Sequence, residues 1–170
     1  MHPAAQALLG ELEAESAATR RLLERVPADQ LGWQPHEKSM TLGQLAGHVA
    51  AIPGRLCTMI VAADDFDAAK TNFIPPQPES AEAILASFDD SLATAREQLG
   101  SLDEARAAGS WRLHRDGREI FTQPRLGVLR LMAFNHLYHH RGQLTVYLRL
   151  LGVPVPATYG RSADEAPFDA

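Results

Sequence analysis

His136 and His140 stand four residues apart in a segment with helical spacing, so both imidazoles leave one helix face about one turn apart. That face reads Leu126, Leu129, Ala133, His136, His140, Leu144, Tyr147 and Leu151. Two polar rings thus interrupt an apolar seam that points into the protein. A buried polar group left without a partner costs roughly 1–3 kcal/mol. A divalent metal ion satisfies both rings, and neutral imidazole is a common metal ligand. The competing reading is a pair of core histidines hydrogen-bonded to backbone or water; the seam placement favours metal.

One helix supplies two ligands, and a stable site needs a third. His48 is three residues after Leu45 and four before Ile52, at the edge of a second apolar stripe. Alone it reads as a boundary histidine half in water. Joined to the pair it becomes the third ligand, since bundle proteins build such sites from facing helices. His139 leaves its helix about 100° from His140 and reads as packed beside the site or supporting a ligand. His36 lies in a loop, His114 near a hairpin and His2 at the terminus; none is assigned to the metal. No Glu-x-x-His pair occurs in the helical segments, so the site is expected to be mononuclear.

Four helical segments must position these residues. The first runs from Pro3 to Arg25 through Leu8, Leu9, Leu12, Leu22 and Leu23, with Pro27 just beyond. The second starts near Thr41, which with Gln44 makes a capping box. It continues through Leu42, Leu45, Val49, Ile52, Leu56 and Met59, and Pro53 predicts a kink near Val49 or a break. The third spans Ser80 to Leu99. The fourth begins near Thr122, with Pro124 in its first turn, and runs to Leu151, where Gly152 supplies the stop. Asp116-Gly117 between short arms predicts a small hairpin before it. The tail, from Val153 onward, reads as extended and laid back across the helices. Gly142 in mid-helix implies close approach by another backbone: the second helix, the tail or a partner subunit. Arg141 reads as solvated or paired, with attraction of an anionic substrate group as the alternative. Trp33 reads as a plug at the bundle's end.

The whole chain, residues 1–170, fits one all-α domain, a four-helix bundle with an extended C-terminal tail. An apolar share of 45% is too high for a disordered chain. Net charge is −5 with acids and bases interspersed, which argues against nucleic-acid or anionic-membrane partners, because phosphate contacts need clustered cations. No run reaches the ~18 apolar residues that span a bilayer. Cys57 is the single cysteine, so no intrachain disulfide is expected, and a cytoplasmic location follows as the simpler expectation.

Two stretches, LGWQPHEKSMTLGQLAGHVAAIPG around His48 and NHLYHHRGQLTVYLRLLGVPVPATYGRSADE, resemble the DinB/YfiT-like superfamily of metal-binding four-helix proteins. The second is the more specific, with Asn135-His136, then His139-His140-Arg141-Gly142-Gln143, then the Pro and Tyr-Gly of the tail. The resemblance implies an up-down-down-up bundle, frequently dimeric, with metal held by His48, His136 and His140. It fixes no single activity: some members resemble thiol-dependent S-transferases using bacillithiol, mycothiol or glutathione, and some are isomerases.

Three neutral imidazoles leave coordination positions open, the pattern of a catalytic metal. Such an ion lowers the pKa of water to ~7 or deprotonates a thiol. The expected function is a metal-dependent enzyme acting on a small electrophilic substrate. Thiol S-transfer stands ahead of hydrolysis on the strength of the resemblance, with a low-molecular-weight thiol as cosubstrate and no general base assigned. The alternative is a non-enzymatic, metal-stabilised bundle that binds a small ligand or protein partner. Three-His ligation suits Zn, Ni, Fe or Co alike. A homodimer is expected, partly from the resemblance and partly from Gly142.

Overall fold

The structure, a computed structural model, describes residues 2–166. Helix α1 spans Pro3–Leu23, with proline in its first turn and the His2 Nδ1 accepting from the Ala4 N–H at 3.0 Å. Helix α2 spans Leu42–Ala62, and Thr41 and Gln44 close the capping box at its start. Helix α3 spans Ala81–Gly100, capped by Ser80. A short α4, Glu104–Ala108, leads into the sheet. The last helical run has three parts: α5 at Arg125–Val128, a π-helical segment at Leu129–Asn135, and α6 at His136–Leu150. Helix α2 packs against α3 and α6, and α1 packs against the same two, which closes a four-helix core.

Of the kink or break expected from Pro53, the break does not occur: α2 runs through it without interruption. Proline removes one N–H from the helix, and the next N–H, from Gly54, goes to Ser91 Oγ on α3 at 2.8 Å. A Cβ on Gly54 would lie 2.8 Å from the Ser91 carbonyl oxygen, so glycine permits the close crossing of α2 and α3. Helix α2 is long and apolar enough to cross a membrane, yet 61% of its apolar window is buried, as suits a core helix.

The all-α expectation is corrected by a three-stranded sheet. Strand β1, Asp65–Asp67, pairs parallel to β2, Ser110–Arg115, which pairs antiparallel to β3, Arg118–Pro124. The Asp116-Gly117 turn has positive φ at both residues, 49° and 78°, the geometry that suits a two-residue hairpin. Strand β1 has a different origin: Arg112 pairs with Asp65 at 3.0 Å, and Asp67 accepts from the Asp116 N–H at 3.1 Å. The sheet also takes Thr122 to Pro124 into β3, so the last helical run starts at Arg125 rather than near Thr122. Arg125 is buried and caps the end of α2, donating to the carbonyls of Ile60 and Ala63 and pairing with Asp64.

At the far end Gly152, with φ 72°, closes a Schellman motif in which Val153 N–H donates to the Leu148 carbonyl at 3.0 Å. The tail then lies back across α1 and α6. Val155, Pro156 and Ala157 are buried, Asp164 accepts from Val155 N–H at 2.8 Å, and Arg25 reaches Glu165 at 3.2 Å. The end of the expected tail, 167–170, lies outside the described residues.

Candidate metal centre

Helix α2 delivers His48 and α6 delivers His136 and His140 to one place. One nitrogen from each ring lies within 4.8 Å of the others. Ring centroids stand 5.1 Å apart for His48 and His136, 4.6 Å for His48 and His140, and 4.5 Å for His136 and His140. The Nε2 atoms of His48 and His136 are 3.2 Å apart. Two nitrogens held ~2.0–2.1 Å from one tetrahedral ion stand about 3.3 Å apart, so the spacing fits a shared ion. A direct N–H···N bond would join only those two rings and would not account for the convergence of His140 on the same point.

All three rings are only half-buried. The axis of the buried face of α6 runs through Leu137, Arg141, Leu144 and Leu148, and the histidines flank it. Burial nevertheless holds the pKa of His48 down to about 4, helped by the neighbouring charges of His140, His136 and Arg55. His136 is likewise held to about 4, first by burial and then by His140 and His139, against a hydrogen bond to the Met132 backbone that works the other way. Burial also lowers His140. The rings are therefore neutral at neutral pH, the form that offers a lone pair.

Gln143, one turn beyond His140, supplies what the spacing argument left out. Its side-chain oxygen lies 2.7 Å from His140 Nδ1. That oxygen only accepts, so Nδ1 carries the proton and Nε2 keeps its lone pair. The i,i+3 spacing from His140 was the available signal. His136 is positioned by the π-helical segment that ends at Asn135, a local widening often found at functional sites.

The other candidates fall elsewhere. His139 is exposed, its ring 4.9 Å from that of His140. His114 sits in the sheet, 3.8 Å from both Asp65 and Asp67. Trp33 packs edge-on against Tyr147. Gly142 has open space where a Cβ would be, so neither α2 nor the tail approaches it. Arg141 is 2% exposed and pairs with Glu15 at 2.7 Å, with Thr19 Oγ1 at 3.1 Å and with the Tyr159 hydroxyl. These contacts take up its guanidinium and tie the tail to α1.

A cavity of about 120 Å³ opens beside the cluster, with His48 and His136 in its wall alongside Ile52, Leu56, Phe66 and Met132. Cys57 is buried and its thiol is pushed up to about 12 by burial, so the chain's single cysteine offers no thiolate near neutral pH.

The sequence profile of the DinB family matches residues 1–167. The uncharacterized protein YrdA of Bacillus subtilis (strain 168) is 29% identical over 161 residues, spanning 90% of this chain and 86% of that protein. Two solved structures share the fold. The DinB-like protein YjoA from Bacillus subtilis has a TM-score of 0.67 at 20% identity, with 92% of this chain and 99% of that one covered. A DinB-like protein from Bacillus cereus ATCC 10987 has a TM-score of 0.64 at 22% identity, with 91% and 97% covered.

Proposed function

The chain belongs to the DinB family, and we propose that it is a metal-dependent S-transferase whose one divalent ion is held by His48, His136 and His140. The observation that carries the reading is the convergence of three neutral imidazoles from two helices, with His48 Nε2 and His136 Nε2 3.2 Å apart. An ion bound there supplies a nucleophile near neutral pH by activating a thiol or water.

The chain's own residues do the rest. Gln143 fixes the proton of His140 on Nδ1 and aims the other nitrogen. Ile52, Leu56, Phe66 and Met132 exclude water from the wall beside the ligands and offer an apolar surface to an electrophile. The thiol comes from a second molecule, because Cys57 is buried and protonated. Thiol transfer is placed ahead of hydrolysis on the family likeness.

The test is turnover of a small electrophile with glutathione, bacillithiol or mycothiol, with and without added Zn²⁺ or Ni²⁺. Metal-dependent rates that vanish in His136→Ala support the reading. Metal that raises the melting temperature without turnover of any pair points to the alternative, a metal-stabilised binding module.

A further inference from the structure

We propose that Arg55 receives the carboxylate of a small organic acid whose apolar body fills the cavity beside His48 and His136. The inference rests on reading that cavity as the substrate side of the metal centre. Arg55 follows His48 by seven residues, so two helical turns bring it to the same face of α2. It lines the cavity of about 120 Å³ together with His48 and His136. It also lines a second cavity, of about 150 Å³, on the side of His48 bounded by Ala51, Pro75 and Ile84. Arg55 is exposed, and it shares with His48 the lining of both cavities.

Charge separates Arg55 from its surroundings. Histidines apart, it is the one ionisable side chain in the wall of either cavity, and among the described residues it has no ion-pair partner. The other arginines near the bundle core are occupied: Arg125 by Asp64, Arg130 by Glu11 and Arg141 by Glu15. A guanidinium carries a planar fork of donors matched to a carboxylate, and beside apolar walls that attraction is screened less than in water. Leu56, Met59, Phe66 and Met132 would meet the apolar body, and none of them can partner a charge. An acid with an apolar tail matches both halves of the wall; a neutral apolar molecule matches one.

The test uses a matched pair of probes, 3-phenylpropionate and 3-phenylpropanamide, titrated by amide NMR into the whole protein, metal-free and Zn²⁺-loaded. The metal-free protein is expected to prefer the acid by about tenfold or more, as a hydrogen bond to a charged group implies, with shifts along 52–59. Arg55→Gln should bring the two affinities together and Arg55→Lys should retain part of the preference, while both variants still take up one Zn²⁺ equivalent. Equal affinities in the wild type, an undiminished preference in Arg55→Gln, or no saturable binding of either probe overturns the proposal. A preference seen only with Zn²⁺ and kept in Arg55→Gln assigns the carboxylate to the ion; this proposal then falls and the metal centre stands. An Arg55-dependent preference in a protein that takes up no metal removes the metal centre and leaves this proposal standing.

Discussion

His48 Nε2 lies 3.2 Å from His136 Nε2, although 88 residues separate them in the chain. The contact exists because α2 packs against both the π-helical segment and α6, so the ring at the edge of one helix meets the ring that opens the other.

Acid should unfold the metal-free protein along a definite window. His48 and His136 are held to about 4 in the fold, chiefly by burial, against about 6.5 in an unfolded chain. Between those values the unfolded chain binds more protons, so stability is full above about 6.5 and is lost as pH falls toward about 4. Melting curves of metal-free protein should fall through this window and fall less steeply in His48→Ala. A flat profile contradicts the assignment. In the folded protein, protons should compete with metal at these two rings only near about 4, well below the ordinary histidine range.

Gln143 and His139 should separate cleanly. Gln143→Ala removes the partner of His140 Nδ1 and should weaken metal affinity by about 10–100-fold, the usual effect of losing a ligand's supporting hydrogen bond. His139→Ala removes an exposed ring and should change affinity far less. Isothermal titration reads both; equal losses would mean that Gln143 supports the site no more than His139 does.

Arg141 should matter for stability rather than ligand binding. Its side chain is buried against Glu15, Thr19 and Tyr159, and truncation leaves the Glu15 carboxylate without its partner. Arg141→Ala should cost about 3 kcal/mol in denaturant unfolding. It should also loosen the tail around Tyr159, read as faster amide exchange at 155–165. A loss under about 0.5 kcal/mol, typical of a surface change, contradicts this role.

The exposed face of α6 should be covered by a second copy of the chain. Val146 and Leu150 are 55% and 60% exposed, and Gly142 on the same side meets nothing within the chain. Light scattering should give twice the 18.5 kDa chain mass, and Val146→Glu should shift it toward the monomer. A monomer at every concentration tested would end this expectation.

Much of the site was legible because it depends on short spacings. The HxxxH pair and its apolar neighbours fixed one helix face, and Leu45 and Ile52 placed His48 at the edge of another. Local chemistry also announced the Thr41–Gln44 cap, the Asp116-Gly117 turn and the Gly152 stop. Strand β1 was not legible, because Asp65-Phe66-Asp67 has no strand pattern and owes its pairing to Arg112 and Asp116, nearly fifty residues away. The π-helical segment has no periodicity signal of its own in a run of apolar residues. Arg141 is paired, one of the two states its sequence allowed, but its burial follows from Glu15 and Tyr159 closing over it, a tertiary fact. For Gly142 the second helix and the tail are excluded as close neighbours, which leaves the partner subunit of the three offered.

The central claim is that these three histidines hold one metal ion. Its most direct measurement is the metal content of untagged protein dialysed against matched Zn²⁺, by elemental analysis, in wild type, His48→Ala, His136→Ala and His140→Ala. One equivalent per chain is expected in the wild type, none in His136→Ala or His140→Ala, and weak partial occupancy in His48→Ala, with helix content preserved throughout. Full occupancy in His136→Ala or His140→Ala, or no stoichiometric metal in the wild type, would contradict the claim.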